Sequence, residues 1–402
     1  MPERTHRKRK PNNVHKMPNT HDGDIPENSK LHLRTLINPR PFRGIDYTVL
    51  ILVILLVMFG LVMVFSSSYY YAMTEAKFGN DKFFFFSRQL KWALVGIVGM
   101  IACMSVNTEL FRRFSKPLYL FIIVVLGVVL ALGVATNGSN RWLEFLGTSF
   151  QPSEFAKFII IIFMSGYVIK NQRLLTGNFV MFLKCSFPVL LAFILIATEN
   201  LSTGIVVVVV GIMIMFVASD KFAHFVVMGL LGIVAFGGLT MAESYRRARI
   251  TGWLDPWGDP DKSGYQIIQS LYAVASGGLF GLGIGQSRQK TFIPESYNDI
   301  IFAIICEELG LVGAVVLILL FTLLIWRGIK IAMTAKDKYS SYVATGITTM
   351  IAIQVIINIA VVTNSMPNTG MPMPFISYGG TSLVVMMASV GLLLNISRDC
   401  KR

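Results

Sequence analysis

The sequence predicts an all-α polytopic membrane protein of about ten transmembrane helices, with both termini cytoplasmic and a large extracytoplasmic loop between the seventh and eighth. Three observations carry this expectation. The 402 residues are 54% hydrophobic and only 14% charged, with mean hydropathy +0.62, whereas a soluble domain carries about 25% charged residues. Apolar runs approaching the ~20 residues that cross a hydrocarbon core recur from Tyr47 to Asn395. Lys and Arg gather in alternate connections, as the positive-inside rule requires.

In chain order, residues 1–44 form a polar tail rich in Pro and Asn, with ten Lys/Arg and no sustained apolar period. It is too long and polar to be a signal peptide and reads as a disordered basic cytoplasmic tail. Its run Arg7-Lys8-Arg9-Lys10 suits anionic lipid or a cytoplasmic partner; no folded element accompanies it, so no nucleic-acid partner is expected. The membrane domain follows over 45–397, with spans near 47–68, 90–107, 116–136, 152–170, 185–199, 203–219, 223–241, 299–326, 340–364 and 378–396. Only the polar turn at Glu199–Thr203 separates the fifth span from the sixth. Residues 398–402 end the chain as a short cytoplasmic C-terminus. Four scattered cysteines offer no disulfide framework, and four of five histidines lie in the tail, which argues against a His-based metal centre.

Arg112, Arg113 and Lys116 follow the second span, Lys170, Arg173 and Lys184 the fourth, and Arg327, Lys330, Lys336 and Lys338 the eighth. The same orientation places the loop 242–298 outside, although it carries Arg246, Arg247, Arg249, Lys262, Arg288 and Lys290. Such cations suit a phosphate or pyrophosphate, and would equally hold the loop against lipid headgroups beside Trp253 and Trp257.

The other uncommon polar motifs fall on this face. Asn137–Trp142 joins the third and fourth spans, and Gln151-Pro152-Ser153-Glu154 opens the fourth. Glu154 and Lys157, three apart, share a helix face, where they either line a cavity or pair with each other. A Pro/Gly-rich segment from Pro367 to Ser382 joins the ninth and tenth spans. Such irregular backbone at membrane depth requires protein or a wet cavity around it. The glycine run Gly277–Gly285 lacks a βαβ context and is no nucleotide loop; it lets backbone approach a ligand or lets helices pack closely.

Asp299 stands where the charged segment Pro294–Asn298 enters an apolar helix. A carboxylate there is costly to keep ionised and so marks a functional site, although N-capping alone also favours Asp at a helix start. On a helix continuous from Asp299, Glu307 lies about 80° from it and Glu308 nearly opposite. Glu307 is then the second carboxylate of a cavity, and Glu308 a partner for another helix.

Together these motifs resemble the SEDS family: Arg141-Trp142, Gln151-Pro152-Ser153-Glu154 with Lys157, Pro294-Glu295, Asn298-Asp299, and Glu307-Glu308-Leu309-Gly310. Pro374-Phe375-Ile376-Ser377-Tyr378-Gly379-Gly380-Thr381-Ser382 matches the most recognisable signature, and the likeness covers about 45–397. Gly60–Ser68 is more similar to the division and sporulation branch (FtsW, SpoVE) than to RodA. The resemblance implies a peptidoglycan glycosyltransferase of the bacterial cytoplasmic membrane. It would polymerise lipid II on the outer face beside a class B penicillin-binding protein, in septal or spore-wall synthesis, with other divisome or elongasome proteins as further partners. It makes Asp299 the catalytic carboxylate, with Lys157, Glu154, Arg141 and Trp142 around it. Tyr297-Asn298 replaces the family's usual His-Thr, and Glu199-Asn200 stands where Asp is usual. As a general base, Asp299 needs its pKa lifted by desolvation, which a nearby Lys157 would oppose. No cofactor is identified, but a divalent cation, Mg or Mn, would serve alongside the loop cations to meet pyrophosphate charge. A lipid-linked-precursor flippase and a non-catalytic division scaffold are the alternatives; a charged cavity also suits a transporter.

Overall fold

The computed structural model describes residues 42–400 except 133, 137–138, 146–147, 199 and 243; the side chains of 132–150, 233–236 and 239–246 also fall outside the description. The tail expected over 1–44, including its basic run, therefore lies outside it as far as residue 41. The bundle is built from α1 (Tyr47–Thr74), α2 (Phe84–Ser105), α3 (Thr108–Leu132), α4 (Pro152–Lys170), α6 (Phe179–Ala197), α7 (Leu201–Ala218), α8 (Phe222–Ala242), α11 (Ile301–Thr334), α12 (Lys338–Val362) and α13 (Gly380–Arg398). Among the described residues nine of these are long and apolar enough to cross a membrane. The tenth, α8, is apolar over Phe222–Gly232. Between the major helices lie α5 (Gln172–Thr176), α9 (Ser244–Leu254) and α10 (Tyr265–Ser276).

Several helices begin earlier than hydropathy alone suggests. Arg88 and Lys91 belong to α2, and Arg112, Arg113 and Lys116 to α3. Long cationic side chains tolerate a helix end because their stems cover apolar surface while the charge reaches water. The connection from α3 to α4 also adds structure that the sequence did not suggest: a small antiparallel sheet of β1 (Val134–Thr136), β2 (Ser139–Phe145) and β3 (Thr148–Phe150). Its registers pair Val134 with Trp142 and Glu144 with Ser149.

The continuous eighth helix assumed from sequence is broken. Gly310 has φ 67° and ψ −168°, a conformation essentially confined to glycine. The glycine run fills the break with its own backbone. Leu282 N donates to Glu307 O at 3.0 Å and Gly283 N to Glu308 O at 2.9 Å, while Leu311 N donates to Gly278 O at 2.9 Å and Val312 N to Leu279 O at 3.1 Å. An added Cβ at Gly281 would overlap the Glu308 carbonyl. Gly277 lets the end of α10 lie against the α11 backbone at Cys306, the close packing expected, and the later glycines let a loop replace missing helical hydrogen bonds, which are expensive to leave unmade away from water.

Two polar ties join α1 to α11. Arg327 Nε donates to Asp46 Oδ2 at 3.0 Å near one end. Near the other, Ser66 Oγ donates to Glu308 Oε1 at 2.7 Å. Asp46 also caps α1 through Thr48 N and accepts Arg327, so one carboxylate sets the helix start and its neighbour.

Candidate functional site

Asp299 lies in the turn that feeds α11, yet it does not cap the helix. The N-cap position is Ile300, with no side-chain capping bond, which removes the capping explanation for an aspartate here. The turn is pinned from three sides. Ser296 Oγ donates to Ser67 O of α1 at 3.1 Å, and Tyr378 N donates to Tyr297 O at 2.9 Å. On α12, Asn358 Nδ2 donates to Asp299 O at 2.7 Å and to Met371 O at 2.9 Å. Asn298 Nδ2 holds Glu295 Oε2 at 2.7 Å, and Glu295 adopts φ 49°, an uncommon conformation for a residue with a side chain.

Burial pushes the Asp299 carboxyl up to about 6, with the Arg249 guanidinium opposing and Glu295 reinforcing the shift. The opposing cation is thus Arg249 rather than the expected Lys157. Gly370 lies near the carboxylate: a Cβ there would stand 3.8 Å from Asp299 Oδ2. Its φ of +66° suits a residue without a side chain.

Arg249 reaches this loop from α9. Its Nη1 donates to Asn368 O at 2.9 Å, and Asn368 in turn donates from Nδ2 to Gln266 Oε1 of α10 at 2.6 Å. Trp253 Nε1 donates to Asn364 O at 3.0 Å, and Ser202 Oγ to Thr369 O at 2.8 Å. The segment between α8 and α11 is therefore fastened to the 364–370 loop. Arg247 is exposed, whereas the Arg246 side chain lies outside the described residues.

The signature Ser377–Ser382 forms the wall beside Tyr297. Ser377 Oγ accepts from Met373 N at 2.7 Å and closes the turn. Gln89 of α2, missed by sequence reasoning, clasps the strand-like backbone: its Nε2 donates to Ser377 O at 3.2 Å and its Oε1 accepts from Gly379 N at 3.3 Å. Tyr378 meets Tyr297 and Phe85 edge to face, with centroids 5.6 and 5.2 Å apart, while Phe85 and Tyr297 lie tilted at 4.3 Å. Burial raises both phenols above their ordinary range, so each remains a neutral donor. Gly380, the first residue of α13, lies against Trp92, Thr381 is buried and Ser382 partly so.

Glu154 and Lys157 adopt the self-paired arrangement, 2.9 Å apart and both buried. They lie in α4, after Gln151 and Pro152 and beside the buried Ser153, and α4 packs against α3, α7 and α12. Arg141 and Trp142 sit on β2, but their side chains lie outside the described residues, as does Glu199.

Glu307 departs from its expected place as a second cavity carboxylate. It is 1% exposed and accepts from Ser287 Oγ, from Arg288 N at 3.0 Å and from Gln289 N at 3.2 Å. It therefore anchors the end of the glycine loop. Helix rotation counted from Asp299 could not show that a loop would occupy that side, because Asp299 stands in the turn before the helix begins at Ile301. Glu308 behaves as expected, meeting Ser66 of α1, and it also pairs with Lys290 at 3.5 Å. Lys290 is buried over the Tyr69 ring and donates to Gly285 O at 2.6 Å, so of the loop cations weighed for pyrophosphate it is spent internally. Arg288 and Lys262 remain exposed.

With this geometry in hand, the chain matches the FtsW/RodA/SpoVE family model, described as cell cycle protein, over residues 47–402. It is 47% identical over 357 residues to "Stage V sporulation protein E" of Bacillus subtilis (strain 168), covering 88% of this chain and 97% of that one. It is 37% identical over 366 residues to "Probable peptidoglycan glycosyltransferase FtsW" of Geobacter sp. (strain M18), covering 89% and 98%. Among solved structures, a chain reported under structural coordination of polymerization and crosslinking by a peptidoglycan synthase complex superposes with TM-score 0.73 at 25% identity, covering 90% of this chain and 100% of that one. The Rod shape determining protein RodA of Thermus thermophilus superposes with TM-score 0.66 at 23% identity, over 90% and 99%, and so supports the fold.

Proposed function

Because the chain belongs to the FtsW/RodA/SpoVE family of cell cycle proteins, we propose that it is a peptidoglycan glycosyltransferase that polymerises lipid II at the outer face of the bacterial cytoplasmic membrane. The observation that carries this reading is Asp299: a half-buried carboxylate that desolvation raises to about 6 against the opposing charge of Arg249. A base needs a pKa near the working pH, and desolvation, reinforced by Glu295, raises that of Asp299 toward it. The reacting sugar hydroxyl gives its proton to the Asp299 carboxylate as its oxygen bonds to the anomeric carbon of the donor. The bond from that carbon to the pyrophosphate oxygen breaks, and the lipid pyrophosphate leaves with the electron pair. Single displacement inverts the anomeric centre.

Arg249 and the exposed Arg247, Arg288 and Lys262 are the cations that would meet charge on the leaving group. Among the described residues no three of His, Cys, Asp and Glu stand together in a group able to hold a metal ion. A Mg or Mn ion carried by the substrate's pyrophosphate would need only one or two protein carboxylates and would supplement these cations. A class B penicillin-binding protein is the proposed partner, and the 47% likeness to a sporulation protein favours spore-wall or septal synthesis. The test is lipid II polymerisation by purified protein with that partner. Wild type should form glycan strands and Asp299→Asn none, while folding normally. Transbilayer movement of labelled precursor by a wild type that forms no strands would replace the transferase with a flippase.

A further inference from the structure

We propose that Asn358 is a positioning residue for this reaction: by donating to both Asp299 O and Met371 O, its amide holds the base-bearing turn and the Pro/Gly loop together as one site. The proposal rests on the transferase reading above. It starts from the side chain's placement. Asn358 is 1% exposed, one turn before the end of α12 at Val362, and α12 packs against α4, α7, α11 and α13. A group fixed on such a helix is a stable reference for two loops that have no helix of their own.

The chemistry is specific. Both partners are carbonyl oxygens, so only the amide nitrogen can face them, and its two hydrogens match two acceptors at 2.7 and 2.9 Å. An ionised carboxylate offers no hydrogen, a serine offers one, and a leucine of nearly the same size offers none. Met371 follows Gly370, where an added Cβ would stand 3.8 Å from Asp299 Oδ2. Holding Met371 O therefore also fixes the segment next to the half-buried acid. Releasing both carbonyls lets the turn and this segment part and hydrates the carboxyl further, although every catalytic side chain is still present.

A purely structural tie would lower the amount of folded protein without altering the chemistry of the fraction that folds. The two cases separate in the pH profile. Polymerisation by wild type, Asn358→Leu and Asn358→Asp should be measured per folded protein, with folding followed by thermal melting. In Asn358→Leu, kcat should fall about 100-fold, the cost of a misplacement of roughly 1 Å, with KM little changed. Its acid limb should move below the wild-type midpoint, because a rehydrated carboxyl ionises more readily. Asn358→Asp should retain part of the activity at low pH, where a protonated carboxyl donates one bond, and lose it relative to wild type as pH rises.

A folded Asn358→Leu enzyme with wild-type kcat and an unmoved acid limb overturns the proposal. So does one whose activity falls only in proportion to its folded fraction. Infrared titration of the Asp299 carboxyl, isolated by difference against Asp299→Asn, reads the same displacement without turnover. A wild type that makes no glycan therefore removes the transferase reading, while the infrared midpoint still decides the role of Asn358: a lower midpoint in Asn358→Leu supports it and an identical one refutes it.

Discussion

Gly310→Ala should be far more damaging than its size suggests. At φ 67° and ψ −168° a Cβ is strained by about 1–3 kcal/mol. The added carbon would also overlap Gly281 N and the Leu279 carbonyl, so the glycine loop must lift away from α11. Lifting it breaks the four backbone bonds of Leu282, Gly283, Leu311 and Val312. At a net value of about 1 kcal/mol each, these add about 4 kcal/mol. The total is on the order of 5 kcal/mol. Gly285→Ala is the matched control: its φ is +82° but nothing lies within 4 Å of the added Cβ, so it carries the backbone strain without the collision. Thermal unfolding in detergent micelles, followed by circular dichroism, should rank wild type above Gly285→Ala and Gly285→Ala well above Gly310→Ala. Equal melting of the two variants would falsify the idea that the loop completes the broken helix.

Other outcomes follow from the same contacts. Polymerisation should lose activity as pH falls through about 6, because protonation of Asp299 removes the base, and activity should be flat above it until another group intervenes. Arg249→Gln should move that acid limb upward, since the guanidinium that favours the ionised carboxyl is gone; a downward or absent shift in the pH–rate profile would refute the pairing. Glu308→Ala strands the buried Lys290 charge and removes the Ser66 tie, a loss of about 3–5 kcal/mol readable as a lower melting temperature. In a variant without Cys103, Cys185, Cys306 and Cys400, a cysteine at Lys262 should react with an impermeant maleimide in intact cells and one at Lys336 should not. The reverse pattern would invert the proposed topology.

Hydropathy was sufficient to find the long helices, though not their starts or the break at Gly310, because each span must satisfy its own backbone and show an apolar surface along its own length. That requirement is local, so it is written in consecutive residues. Asp299 was legible for the same reason: a carboxylate at the mouth of an apolar helix is costly wherever the rest of the chain lies. The opposing charge was not legible. Lys157 and Arg249 are both plausible cations in sequence, and only packing assigns Lys157 to Glu154 and Arg249 to the loop around Asp299.

Glu307 and Glu308 show the limit most clearly. Helical rotation sends them in different directions, but what waits there is another segment of chain: Ser287–Gln289 for one, Ser66 and Lys290 for the other. The sequence by itself determined the membrane fold, the spans and the acid at their edge, through periodicity and desolvation that act over neighbouring residues. Tertiary structure alone decided that glycines 277–285 repair a broken helix, that Gln89 and Asn358 hold the loops, and that Arg249 opposes the shift at Asp299. Those are hydrogen bonds and contacts between residues remote in sequence, and a donor's partner is chosen by where the folded helices bring it.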